Sequence, residues 1–542
     1  MNTNRVILEI LSNRGIKGDK NVSEFLSPKP MLTYDPFLLK NMEEGVDLIL
    51  KNINSGNKIC IYGDYDADGV TSVSILMEVL SNLTDNLRYY VPSRFDEGYG
   101  LNSDAITQLY EDGVKLIITV DCGIVSYDEV DHANSLGMEI MVTDHHSLGE
   151  KLPNCLVINP KREGCKYPFK SLAGCGIAFK LSQALQRKTD IPKSVINGVL
   201  DLVALGTVGD VVPLVDENRT IVKYGMARIS AGTRRGLKLL SDKTGRGGKI
   251  SSEGISFGIV PHLNAAGRME DASIGIDLFT AKDKETQDLK VDRLIELNKK
   301  RKSIQDETYK RCVDEYERAY TGYQFPIIKM DEAHEGIAGI VAGKMKDYCE
   351  KPVAIVTKEK GGYKGTTRSI EAVDIYEVLS KERDLFTKFG GHSSACGFSI
   401  DEDKLDILQE NIEKTMSTLD LSKIDTSVKY DMELEADDIS LELAREIELL
   451  EPFGCENEKP SFLIKKCLID SLRYMGANDE HVRFNVILND FLSVPCVLFN
   501  YKSVLDGVIF NGMVVDIIVN LDINRWKDTE KLQFMVNSII VK

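Results

Sequence analysis

Carboxylates and imidazoles cluster at four places along the chain. Asp64, Asp66 and Asp68 lie in Gly63-Asp64-Tyr65-Asp66-Ala67-Asp68-Gly69, directly after the apolar run Lys58–Tyr62. Asp121 closes the run Leu116–Val120, and Asp144, His145 and His146 close Glu139–Val142. Asp210 follows the apolar stretch Val199–Leu205. Acids crowded together raise one another's pKa steeply unless cations compensate them. Mixed Asp/His ligation suits Mn²⁺ or Mg²⁺ better than a thiolate-loving metal. Six carboxylates and two imidazoles make two ions more natural than one. Two ions about 4 Å apart clamp the attacking and leaving oxygens of a phosphoryl displacement.

Each cluster taken singly has a plainer reading. An Asp-rich loop after a strand is commonly a helix N-cap, and so is a lone Asp121. The Asp64–Gly69 loop also mimics the start of a calcium loop, but position 12 of such a loop must be Glu and here is Ile75. An adjacent His pair is less ordinary, because the chain has 7 His in 542 residues. The four clusters together, three of them at strand ends, favour a metal centre.

The elements that would deliver these groups alternate. Short β-branched runs occur at Lys58–Tyr62, Leu87–Val91, Lys115–Val120, Glu139–Val142 and Cys155–Ile158. Helical stretches occur at Val70–Asn82, Ser103–Asp112, Ser126–Ser135 and Gly174–Gln186. This predicts βαβ crossovers and a mostly parallel sheet, with ligands beyond the carboxyl ends of its strands. The expected division is an N-terminal segment (1–40), a parallel-sheet α/β catalytic domain (41–225) and a helical connector (226–318) ending in one long charged helix, Asp283–Tyr316. A smaller α/β domain (319–425) and an all-β barrel (426–542) follow, the barrel from five short runs that begin at Ser461, His481, Val494, Met513 and Leu532. A chain of 60.5 kDa suits three or four domains.

The net charge of −17 argues against a general nucleic-acid coat but leaves room for a local basic groove. The 11 cysteines, with no CxxC pair, read as structural or free thiols of a cytoplasmic protein. The start, MNTNRVILEI, has no signal-peptide core, and no apolar run approaches the roughly 18 residues that span a bilayer. The expectation is a soluble cytoplasmic protein with no membrane partner.

With these motifs in place, the sequence resembles the DHH phosphoesterase superfamily, and within it the RecJ-type single-stranded-DNA exonucleases. The resemblance is carried by IYGDYDADGVTS (61–72), ITVDCG (118–123), VTDHH (142–146), ALGTVGDVVPL (204–214), PHLNAAGRM (261–269), FGGHSSACGF (389–398) and EPFGCEN (451–457). It covers the chain from about Asp35 onward. It implies a DHH catalytic domain, a long connecting helix, a smaller α/β DHHA1 domain and a C-terminal OB-fold that binds DNA. It also implies two-metal-ion hydrolysis of single-stranded DNA from the 5′ end, releasing 5′-mononucleotides, in DNA recombination and repair.

By the same resemblance, Asp64, Asp66, Asp68, Asp121, His145 and Asp210 are metal ligands for two Mn²⁺ or Mg²⁺ ions, with Asp121 between them. His146 stays open between ligand and phosphate contact, and Asp144 is either a proton acceptor or a carboxylate that orients a His. Asn264, Arg268, Thr366, Thr367, Arg368, Ser369, Gly391 and His392 are expected on the substrate. Tyr62 replaces a His common in relatives, and Cys455 replaces a Gly.

Single-strand choice is expected from a cleft too narrow for a duplex and from aromatic stacking on the barrel. Tyr474 and Trp526 are the candidates, beside Arg473, Arg483 and Arg525. Lys299-Lys300-Arg301-Lys302 reads as a solvated helix face. A single-strand-binding protein and a helicase are implied partners of a monomer. The rival readings are an oligoribonuclease or cyclic-dinucleotide phosphodiesterase, which would normally lack the barrel, and an inactive replication scaffold, which would not need the acids.

Overall fold

The computed structural model describes residues 4–95, 97–419, 428–476, 479–501, 509–527 and 529–541. Five parallel strands form the first sheet: β1 (Lys58–Tyr62), β2 (Leu87–Tyr90), β3 (Val114–Val120), β4 (Glu139–Thr143) and β5 (Leu156–Ile158), in the order β2-β1-β3-β4-β5. Central strands β1 and β3 are apolar on both faces because helices cover both. On one side lie the helices Ala67–Leu80, Gly174–Lys188 and Leu200–Gly209. On the other, Ser103–Glu111 and Tyr127–Ser135 close a smaller core.

After several helices comes one of 36 residues, Lys284–Ala319, capped by the Asp283 carboxylate on Thr286 N–H. It packs on the Val260–Met269 helix at one end and the Glu335–Cys349 helix at the other, joining the two α/β units. The smaller unit has the sheet order β6-β7-β8-β10-β9, from β6 (Ile327–Lys329), β7 (Val353–Glu359), β8 (Gly362–Arg368), β9 (Phe386–His392) and β10 (Ala395–Asp401). Only β6 and β7 are parallel in it.

The C-terminal strands are β11 (Met432–Glu433), β12 (Phe462–Met475), β13 (His481–Asn489), β14 (Leu492–Leu498), β15 (Val514–Trp526) and β16 (Thr529–Ile540). A β12–β15 pairing closes them into a barrel. β12, read from sequence as a short run from Ser461 to Lys466, extends over 14 residues to Met475. Register shifts near Lys466 and Ser471, both at positive φ, break the alternation that a sequence reading relies on.

The N-terminal segment, read from sequence as one short helix and a Pro-containing loop, has two helices, Arg5–Asn13 and Asp19–Leu26, and Val6, Ile7, Ile10, Leu11 and Leu26 sit in the same core as Phe462 and Leu443. The two ends of the chain thus share one hydrophobic core. Among the described residues no helix is long and apolar enough to cross a membrane.

Candidate metal centre

Three strand ends and one helix end meet at one point. After β1 the chain turns through Gly63 and enters the Ala67–Leu80 helix. A Cβ at Gly63 would meet Val73 at 2.3 Å, and one at Gly69 would meet the Asp64 carbonyl at 2.3 Å, so the loop closes only with glycine there. Asp66 does cap the helix: its Oδ1 accepts from Asp68 N–H (2.8 Å) and Gly69 N–H (3.0 Å). Capping uses one oxygen and leaves the other to the centre. Asp121, one residue past β3, sits at φ 61, a left-handed backbone uncommon outside Gly, Asn and Asp that recurs at functional sites.

Asp68 faces the first turn of the Gly174–Lys188 helix and accepts from Gly174 N–H (2.6 Å) and Cys175 N–H (2.9 Å). Asp210 ends the Leu200–Gly209 helix. His145 Nε2 lies 3.1 Å from Asp121 Oδ1 and 3.5 Å from Asp210 Oδ2. Asp144 has a different orientation. It is buried, with Oδ2 on Ile124 N–H (3.0 Å) and Oδ1 on both His146 N–H (3.0 Å) and His146 Nδ1 (2.7 Å). Its geometry is that of a carboxylate that holds His146 in place.

Two ligand triplets emerge. Donor atoms of Asp68, His145 and Asp210 lie within 4.8 Å of one another, and so do those of Asp64, Asp66 and Asp121. A third such set, Asp121, His145 and His146, links them. Asp64 Oδ1, Asp121 Oδ1, His145 Nε2 and Asp210 Oδ2 are buried and form no hydrogen bond. Orphaned buried polar atoms normally cost about 1–3 kcal/mol each. Four of them facing one another, all hard oxygen or imidazole donors, fit divalent cations of the Mg²⁺/Mn²⁺ type.

The electrostatics agree. Burial, then neighbouring carboxylates, hold Asp64 and Asp121 well above the usual carboxylate range, and raise Asp210 to about 8. Burial lowers His145 to about 4, leaving a neutral ring able to ligate. Burial alone would lower His146 too, but the Asp144 carboxylate and the acids around it outweigh this and raise it to about 9. In the metal-free chain this favours the charged form of His146.

A cationic group lies beside the acids. Arg268 donates to the Gly336 carbonyl (3.0 Å), and burial together with the charges of Arg94, Arg301 and Arg368 lowers it to about 10. Arg94, which the sequence did not single out, lies over the Tyr65 ring at 5.0 Å. Its loop also carries Phe95, edge-on to His334 of the smaller unit (5.4 Å), and Tyr99, whose hydroxyl is 3.4 Å from both His146 nitrogens. No sequence signal marked these three residues; they lie in a loop without a strong motif.

Other expected contacts divide. Arg368 donates to the Thr367 carbonyl (2.8 Å) and reaches Thr366 Oγ1 (3.5 Å). Gly391 and His392 are exposed on edge strand β9, and a Cβ at Gly391 would meet the Ala395 carbonyl at 2.3 Å. Thr367 and Ser369 need correcting. Both are buried, and their hydroxyls donate internally to the Cys396 (2.9 Å) and Val373 (2.6 Å) carbonyls, so they hold the loop's shape from within. Asn264 Oδ1 accepts from Ala67 N–H (2.7 Å), bracing the Asp-rich turn.

Arg301 is buried against Asn298 and Gln305, unlike its exposed lysine neighbours. Tyr62 is buried with its hydroxyl on the Gly100 carbonyl (3.2 Å). Tyr474 is half exposed, 5.4 Å from the Tyr501 ring, while Arg525 is paired to Glu448 and Glu530. The Trp526 side chain lies outside the described residues.

Known proteins match this architecture part by part. The "DHH family, N-terminal domain" model matches residues 58–207, the "DHHA1 domain" model 322–418 and the "RecJ OB domain" model 430–538. The single-stranded-DNA-specific exonuclease RecJ of Escherichia coli is 33% identical over 98% of this chain and 95% of its own length. That of Bacillus subtilis is 36% identical over 99% of this chain and 68% of its own. The crystal structure of Thermus thermophilus RecJ in complex with Mn²⁺ superposes with a TM-score of 0.85 at 27% identity, covering all of this chain and 76% of that one. The chain belongs to the RecJ family of single-stranded-DNA-specific exonucleases.

Proposed function

We propose that this chain degrades single-stranded DNA from its 5′ end, releasing 5′-mononucleotides, with two Mn²⁺ or Mg²⁺ ions held by Asp64, Asp66, Asp68, Asp121, His145 and Asp210. The observation that carries the reading is the set of four buried, unpartnered donor atoms shared between two ligand triplets. Bound there, divalent ions supply positive charge that makes a water acidic near neutral pH and neutralises phosphate oxygens. Asp68 is oriented by two backbone N–H groups, and Asp121 stands between the triplets. His146, kept protonated by Asp144, donates to a non-bridging phosphate oxygen as charge builds up there. Arg94, Arg268 and Arg368 bind the backbone phosphates, aided by Gly391 and His392. The barrel, with Tyr474 on its surface, holds the outgoing strand by stacking.

The chain acts as a cytoplasmic monomer with an N-terminal segment (1–40), catalytic domain (41–225), helical connector (226–318), second α/β domain (319–425) and barrel (426–542), recruited through a single-strand-binding protein and a helicase. A time course on end-labelled single-stranded DNA, duplex DNA, short RNA and cyclic dinucleotide, with Mn²⁺, Mg²⁺ or EDTA, tests it. Immediate mononucleotide release from the 5′ end of single-stranded DNA alone is expected. Turnover confined to very short or cyclic substrates would overturn it.

A further inference from the structure

A second concavity is lined in part by the chain neighbours of Asp210. A pocket of about 420 Å³ opens between the catalytic unit and the segment leading into the barrel. Its lining includes Val208 and Val211, which flank the metal-centre residue Asp210 in the chain. It also includes Phe257 and Phe453. Phe257 is 71% exposed and Val211 66% exposed, unusual for large apolar side chains at one site. Both are held there by irregular backbone. Residues Ile255–Ile259 form a widened turn in which Val260 N–H reaches the Ile255 carbonyl, and Val211 sits at φ 58. Widened helical turns and left-handed β-branched residues recur where function requires them.

The charge of the pocket narrows the occupant. Glu253, Glu451 and Glu458 line it against a single cation, Lys459. A phosphate is repelled there. An uncharged planar ring is not: it offers a π-face to Phe257 and amino hydrogens to the carboxylates.

We propose that this pocket takes one unpaired nucleobase of the strand whose phosphodiester lies at the metal centre. The inference rests on the exonuclease reading above. A paired and stacked base cannot enter, so the pocket gives single-strand preference a source independent of cleft width.

The test is a binding cycle read by fluorescence anisotropy in Mn²⁺. Hydrolysis-resistant phosphorothioate strands each carry one abasic nucleotide at successive positions. One position is expected to weaken wild-type binding about tenfold, and Phe257→Ala to weaken binding of the intact strand about as much. Combining the two is expected to cost no more than either alone, because both remove the same contact. Phe257→Tyr, which keeps the ring, retains wild-type affinity. Additive losses, or no loss with Phe257→Ala, overturn the inference and give the pocket to another occupant such as a protein partner. Cleavage of unmodified strand is assayed separately. Its absence would refute the exonuclease reading while the binding cycle still judges the pocket.

Discussion

Asp64, Asp68 and Asp121 are each almost wholly buried, and burial pushes each toward protonation, reinforced by neighbouring carboxylates at Asp64 and Asp121 and opposed by His145 at Asp68. The metal-free chain is therefore destabilised by the arrangement that makes it a metal centre. This predicts a double effect for Asp121→Ala. Mn²⁺-dependent hydrolysis falls about 10³-fold or more, while the metal-free protein melts a few degrees higher, because a carboxyl group whose burial costs of order 1 kcal/mol is gone. Melting curves with and without Mn²⁺ check it; a lower metal-free Tm, or persisting turnover, contradicts it. The acids of the centre were readable because strand ends can be located in sequence. Asp144 was not separable from them by residue type, since only its bonds to Ile124 and His146 turn it away. Thr367 and Ser369 were misread for a reason that periodicity already contains. Along β8, Thr366 and Arg368 share one face, so Thr367 must point to the other, and Ser369 follows it.

At the scale of elements, the centre depends on how closely the Gly174–Lys188 and Leu200–Gly209 helices approach it. A Cβ at Gly174 would lie 2.6 Å from Asp121 Cβ, and one at Gly206 would lie 2.8 Å from Asp68 Oδ1 and 2.3 Å from Thr71 Oγ1. These glycines are spacers that let backbone N–H groups reach Asp68. Gly174→Ala is expected to displace Asp121, weaken Mn²⁺ binding about 10- to 100-fold and cost about 1–3 kcal/mol of stability from overpacking. Calorimetric Mn²⁺ titration of the folded variant, confirmed folded by circular dichroism, checks this; unchanged affinity would mean that the neighbours relax freely. The parallel sheet and its helices were legible because each strand is short, apolar and bounded by a loop. The long β12 was not, because its bulges interrupt the alternation. One short helix was legible at the chain's start, but periodicity does not say which core a helix joins, and Val6 to Leu11 join one that is more than four hundred residues away in sequence.

At the scale of the whole molecule, that shared core must dock on the catalytic unit, and one helix of the latter, Asp216–Ala231, carries the joint. Arg219 is buried there and donates to the carbonyls of Leu450 (2.6 Å), Leu449 (3.1 Å) and Phe25 (3.0 Å), with its guanidinium 3.8 Å above the Phe25 ring. One turn on, Lys223 faces the same side with no such acceptors among the described residues. Burial, then the Arg219 charge, lower its pKa to about 8, and Glu451 only partly compensates. Burial lowers Arg219 as well, to about 9, but its three carbonyl acceptors offset that cost, so two cations a turn apart should have opposite worth. Arg219→Met removes three charge-assisted hydrogen bonds and is expected to destabilise the joint by about 2–4 kcal/mol. Lys223→Met removes a poorly solvated charge and is expected to stabilise the protein. The sign follows from linkage. Lys223 titrates near 8 when folded and near 10.4 when unfolded, so the unfolded chain binds more protons between those values and stability rises with pH there. The penalty is complete below pH 8 and gone above about 10.5. Lys223→Met should therefore gain about 1–2 kcal/mol at pH 7, discounted for the group's partial exposure, and nothing at pH 10.5. Urea melts of both variants across that range check the pair, and a Lys223→Met gain that stays constant with pH would show that lost packing or local charge, not desolvation of the ammonium, sets the stability of the joint.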